Sequence, residues 1–342
     1  MTAGRKELNC LHQLDQCISV LIHYPKGAPL ASPFLRHKLP RVRTLMILTL
    51  SAAITALPVR AAETEVARRA NRVEADVQQS PRPDDLGFAT RIQRSYDRNF
   101  GDIDNAGQLR NHSDTDLKRH WEAAETAIFY TSAAHVTASA QRVLGEMERR
   151  GLADNRARSR LFNALLSAGR FDAARSFAAR HTDSGLPQVP ALLDTDPGLP
   201  SAWRFSKDGN TLTRTGIDLQ PLQIIVAAGC HFSADAANDI ANDPVLGPVF
   251  TRHARWLSLP PGNEDLDALR EWNRTHPRTP MLAIRNRAEW AVIPKWNMPT
   301  FAIIQGGKLI DSTRGWRSGD PEFRNKLVSM LRRAGLLQAG TD

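Results

Sequence analysis

Apolar residues return every three or four positions through much of residues 87–182 and come in short continuous runs further on. The first pattern predicts helices and the second predicts buried strands. After Asp114, the run TDLKRHWEAAETAIFYTSA places Leu117, Trp121, Ala124, Ala127 and Ile128 on one face of a helix. A second helix is predicted over about 134–150, ending at Gly151. A third is predicted over about 155–168, with Leu161, Phe162, Leu165 and Leu166 facing inward and a stop at Gly169. A fourth, FDAARSFAARH, starts near Asp172.

The pattern changes at 183–204, where DSGLPQVPALLDTDPGLPSA is rich in Pro, Gly and Asp and reads as a linker. Its DTDPG lacks the loop glycine and terminal Glu of a calcium hand. Next, WRFSKDGNTLTRTGIDL predicts a hairpin turning at Asp208-Gly209 or Gly209-Asn210. LQIIVAA (222–228) reads as a strand buried on both faces, and a helix is expected from near Ser233. HARWLSL (253–259) and MLAIRN predict two more strands, separated by a helix over 263–275 with Asn263 as its cap. Then MPTFAII, a QGGK turn and LIDST predict a final hairpin. An amphipathic helix over 320–337 closes the chain, with Phe323, Leu327, Met330, Leu331 and Leu336 on its apolar face.

The first sixty residues carry a different signal. RHKLPRVR (36–43) is basic, TLMILTLSAAITALPV (44–59) is apolar and uncharged, and Ala61 and Ala62 supply a small-residue exit. That order predicts a signal peptide or N-terminal anchor over 36–62. The apolar run is shorter than the ~20 residues of a spanning helix. Residues 1–35 have no periodicity and would make an unusually long leader, so they are read as an over-extended start, with translation beginning near residues 37–46. Residues 63–86, with mixed charge and QQSPRPDD, are expected to be a linker. The expected location is the periplasm or the secreted space of a bacterium. Membrane contact would come only through an uncleaved segment.

The chain has 342 residues, 42% of them hydrophobic, enough for two domains of ordinary size. The net charge is +9, but Lys and Arg are spread along the chain and no nucleic-acid-binding motif accompanies them, so no nucleic-acid partner is expected. Of three cysteines, Cys10 and Cys17 precede the export segment, which leaves Cys230 as the thiol of the mature chain. A disulfide framework is therefore not expected.

Cys230 stands where the buried run meets the next helix, in GCHFS. A cysteine at a helix start meets free N–H groups and the positive end of the helix dipole, and both favour thiolate. His231 adds to this when protonated, and Ser233 can donate a hydrogen bond to the sulfur. The plain alternative is a buried structural cysteine. No Ser-His-Asp order, HExxH, P-loop or GxGxxG lies at a strand–helix junction, and no cofactor or metal is implied.

These residues carry two resemblances. LFNALLSAGRFDAARSFAARH resembles one tetratricopeptide-type hairpin, without a repeat around it, so 87–182 is expected to be an all-α helical-hairpin domain. Residues 205–340 resemble the thioredoxin-like superfamily. In that family a strand leads to Cys-x-x-Cys at a helix start, and a cis-proline segment, a glycine hairpin and a last helix follow. Here Cys230-His231-Phe232-Ser233 matches the first motif, Met298-Pro299-Thr300 the cis-proline segment, Gly306-Gly307-Lys308 the hairpin and Gly315-Trp316 its exit. The resemblance implies an α/β thioredoxin-like domain in which Met298 and Pro299 flank Cys230 and an extended substrate pairs beside the thiol.

The chain departs from the family in two places. Ser233 stands where the second cysteine would resolve a mixed disulfide, and Ile224 stands where the family places a buried acid. Two readings remain. In one, Cys230 is a monothiol nucleophile that forms mixed disulfides with protein clients carrying thiols or disulfides, released by an external thiol reductant. In the other, the domain is a redox-inactive binding or scaffold module that uses the groove at Pro299 and the helical half.

Overall fold

A computed structural model describes residues 63–338 apart from 82–84, 104, 196–197 and 199, and the described residues belong to one unit. The predicted start region and export segment lie outside them. Among the described residues, no helix is long and apolar enough to cross a membrane.

The described residues open with seven α-helices. They are α1 (Glu65–Gln79), α2 (Asp85–Phe100), α3 (Ala106–Asn111), α4 (Asp114–Tyr130), α5 (Ala134–Arg149), α6 (Asn155–Ser167) and α7 (Phe171–Arg180). The predicted face of α4 is buried at all five positions. Its cap is Ser113, one residue earlier than the Asp114 of the sequence reading, and the hydroxyl accepts from Asp116 N at 3.1 Å. Helix α1 occupies most of the expected linker. The mixed charge that suggested a linker is a ladder on one helix: Glu65 pairs with Arg68 at 2.7 Å, Arg69 at 3.0 Å and Arg72 at 3.3 Å. Beside this ladder Ala70 and Val73 are buried, and α1 packs on α2 and α4.

The second half is one mixed sheet with helices. Its strands are β1 (Ala191–Leu193), β2 (Ser201–Phe205), β3 (Thr211–Gly216), β4 (Gln223–Ala227), β5 (Ala254–Ser258), β6 (Met281–Ile284), β7 (Thr300–Gln305) and β8 (Lys308–Arg314). Helices α8 (His231–Asn242) and α9 (Leu246–His253) lie between β4 and β5. Helix α10 (Leu266–Thr275) precedes β6, and α11 (Pro321–Arg333) follows β8. The strand order is β1-β3-β2-β6-β5-β4-β7-β8. Strands β4, β5 and β6 are parallel, whereas β7 runs antiparallel to β4 and β8 antiparallel to β7. The expected 183–204 linker contributes β1 and the start of β2 to this sheet. Apolar Ala202 and Trp203 are buried there, and Ser201 is fixed by the Glu289 carboxylate, which accepts from its backbone N and its Oγ at 2.8 Å each.

The period of two along β4 divides two cores. Ile224, Val226 and Ala228 face a core that runs without a break through α8, α9 and α11 into the helical half. Ile225 and Ala227 face a second core with Leu257, Trp290, Ile293 and Trp296. The helical half and the sheet thus share one apolar interior, and the Pro- and Gly-rich stretch between them is built into it.

The candidate thiol site

Register brings the site together. Strand β4 is buried at all five positions, so its pairing is fixed on both sides. On one side Ala227 pairs antiparallel with Thr300, so the residues leaving β4 lie beside those entering β7. On the other side Ala227 pairs parallel with Leu257, and Ala228 N donates to Leu257 O at 2.8 Å. The exits of β4 and β5 therefore emerge side by side. Three segments meet at one end of the sheet: Gly229–Cys230, the turn at 260–264 after β5, and the 297–300 entry to β7.

Cys230 is the N-cap residue of α8, so that helix starts at His231, earlier than the sequence reading placed it. The thiol makes no cap hydrogen bond to the first helical amides. It donates to the carbonyl of Met298 at 3.3 Å, across 68 residues of sequence, and lies 3.4 Å from Ser233 Oγ. Ser233 is buried and Cys230 is half-buried. Gly229, before the thiol, has φ +146°, and a Cβ there would overlap Glu264 Oε2 and lie 3.2 Å from Met298 Sδ. Only a residue without a side chain lets both groups approach so closely.

The Met298–Pro299 bond is cis. Pro299 is buried, and its carbonyl accepts from Gly315 N at 2.8 Å. Thr300 Oγ1 donates to the Asn297 carbonyl. Beyond Gly315, Trp316 Nε1 donates to Asp239 on α8 at 2.8 Å, which ties the exit of β8 to the helix behind the thiol. Cys230, Ser233, Met298 and Pro299 are thereby drawn into one cluster with Thr300 at its edge. The exposed ring of His231 packs on the exposed ring of Phe232, with centroids 3.8 Å apart.

The sequence reading missed Glu264. It assigned 263–275 to a helix capped by Asn263, but the cap is Asp265, which accepts from Asp267 N at 2.8 Å and Ala268 N at 2.9 Å. Residues 260–264 form a tight turn in which Asn263 N and Glu264 N both donate to Pro260 O at 3.0 Å. That turn delivers the Glu264 carboxyl to Gly229. Burial, reinforced by the Asp265 carboxylate, pushes Glu264 up to about 8, and a backbone hydrogen bond from Asp265 only partly offsets it. The signal that could have found it is topological. A residue just past the strand parallel to β4 must lie near whatever follows β4.

Among the described residues, no group of three His, Cys, Asp or Glu is placed to hold a metal ion. Compared with protein-family models, curated proteins and solved structures, the chain matches none of them.

Proposed function

We propose that residues 205–340 are a thioredoxin-like domain of an exported protein, and that Cys230 exchanges with the disulfides of protein clients. The observation that carries this reading is the 3.3 Å approach of Cys230 Sγ to the backbone of Met298, just before a cis proline. That backbone borders the thiol, as a partner segment pairing there would require. The β4–β8 order and directions, with a helix after the thiol and another after the last hairpin, are compatible with the resemblance.

The chemistry is bond exchange. The Cys230 thiolate attacks one sulfur of a client disulfide; that S–S bond breaks and a Cys230–client S–S bond forms. The other client sulfur leaves as a thiolate and takes a proton from water. A second client cysteine can attack the mixed disulfide, which gives a rearranged client with no net oxidation. A small external thiol can attack instead, and two attacks by such thiols leave the client reduced by two electrons and the external thiols oxidised to their disulfide. Ser233 cannot perform the release, because a hydroxyl does not form the internal disulfide that a second cysteine would.

The test is to incubate the full chain with an unrelated disulfide-bonded peptide and follow intact mass, with Cys230→Ser as control. A peptide adduct on Cys230, reversed by a small thiol, is the expected result. A native chain that forms no adduct at Cys230, and labels there with iodoacetamide only after unfolding, removes the exchange reading. The binding-module reading then takes its place, supported by the exposed Phe232 ring beside the site.

A further inference from the structure

The residue before the thiol has a titratable neighbour that the proposed exchange chemistry does not itself use. Glu264 arrives from the turn after β5, and its carboxyl is packed against Gly229, the residue before Cys230, and near Met298 Sδ. The turn is held from the other side by the helical half. Gly262 has φ +94°, and a Cβ there would overlap the Asn163 carbonyl oxygen on α6 and lie 2.9 Å from Leu166 Cβ.

We propose that Glu264 is a positioning residue for Cys230 that sets the charge beside the thiol, and that α6 holds it in place. With the carboxyl protonated, a thiolate at Cys230 has no like charge at its side. With the carboxyl ionised, thiolate and carboxylate oppose each other, and their protons come off as a coupled pair. Burial raises Glu264 above the ordinary carboxylate range, to about 8, so its charge develops in alkali rather than at neutral pH. The helical half thereby acts on the thiol through one turn of chain.

Several elements bring groups to the Glu264 turn. Asp265 adds negative charge from the same turn, and its carboxylate is engaged as the α10 cap. Cys230 and His231 belong to the adjoining strand–helix junction. Helix α6 brings to Gly262 the Asn163 carbonyl and Leu166, and the β7 entry brings the Met298 thioether; none of these is charged.

This inference extends the exchange reading, but its test stands apart. Thiolate absorbance is followed against pH in the full chain and in Glu264→Gln, each corrected with its Cys230→Ser counterpart. The thiolate populations should agree near pH 6, and the glutamine variant should hold about tenfold more thiolate relative to thiol at the alkaline end. The titration of the Glu264 carboxyl, followed by NMR of the labelled side chain, should move to lower pH in Cys230→Ser, because the coupling is reciprocal. That second measurement needs no change at Glu264 and stands if Glu264→Gln does not fold. Superimposable thiolate curves with an unmoved Glu264 titration overturn the inference, even where peptide adducts form. A coupled titration without adducts keeps it and removes the exchange reading.

Discussion

Gly262 and Asn163 meet so closely that no side chain fits between them: a Cβ on the glycine would overlap the asparagine carbonyl oxygen and stand 2.9 Å from its carbonyl carbon. The atom in the way is backbone in mid-helix, so it cannot swing aside as a side chain tip can. Gly262→Val therefore has to separate α6 from the turn or distort the turn, and its φ of +94° is itself unfavourable for a branched residue. The expected loss is about 3 kcal/mol or more of unfolding free energy in urea. The same variant should change the alkylation rate at Cys230, because the turn that moves carries Glu264. A variant as stable as the parent with unchanged alkylation would mean that the two halves are not tightly docked here.

Ser233 gives a narrower prediction. Its hydroxyl is buried 3.4 Å from the thiol. A hydroxyl that donates to sulfur favours thiolate. Ser233→Ala should slow alkylation of Cys230 at neutral pH by about two- to fivefold, with stability changed by no more than about 1 kcal/mol. An alkylation rate equal to or above the parent's would show that the hydroxyl does not donate to the sulfur.

The elements were legible because each is a local pattern. Leu117 to Ile128 repeat with the helix, and IIVA sits in an apolar run too short for a helix and too continuous for an edge strand. What stayed hidden depends on pairing between distant segments. Glu65, Arg68, Arg69 and Arg72 read as mixed charge until they are seen on one helix, and Ala70 and Val73 are a thin apolar face for a confident reading. Glu264 lies 34 residues beyond Cys230, and only the parallel register of β4 and β5 brings its turn to the thiol. The meeting of Cys230 with Met298 was readable only through a family resemblance, because 68 residues and an antiparallel pairing separate them. Periodicity identifies faces, but it does not say which strand will be the neighbour.

Arg150 is the fork that holds α3 against α4 and α5. Its Nη1 donates to His112 O at 2.8 Å and Asp114 Oδ1 at 3.0 Å, and its Nη2 to Leu109 O at 3.1 Å and Arg110 O at 3.0 Å. Its Nε donates to Glu146 at 2.7 Å, and Glu146 is held well below the usual carboxylate range, to about 2, by hydrogen bonds from Arg149 and Arg150. A lysine keeps the charge but has one nitrogen for acceptors spread around a planar fork. Arg150→Lys should lower the urea midpoint of unfolding. It should also raise amide exchange first in α3, whose closing carbonyls lose their donors. A neutral outcome would mean that water replaces the fork without cost.

His120 makes the helical half sensitive to acid. The side chain is fully buried, stacked on Phe100 at 4.3 Å and 3.3 Å from Tyr96 Oη, which also meets Ser139 Oγ. Burial lowers its proton affinity from an ordinary 6.5 to about 3, helped by positive charge from His112, Arg142 and Arg69. Between these values the unfolded chain binds a proton that the folded chain refuses. Stability is therefore full above about pH 6.5 and falls as the pH drops toward 3. By about pH 4.5 this one residue should cost about 2–3 kcal/mol, the slope being about 1.4 kcal/mol for each pH unit. His120→Phe keeps the ring on Phe100 and removes the titration, and Tyr96 keeps Ser139. Urea midpoints measured from pH 7.5 to 4.5 should fall more steeply for the parent than for the variant. Parallel curves would show that the imidazole stays uncharged in both states or charges in both.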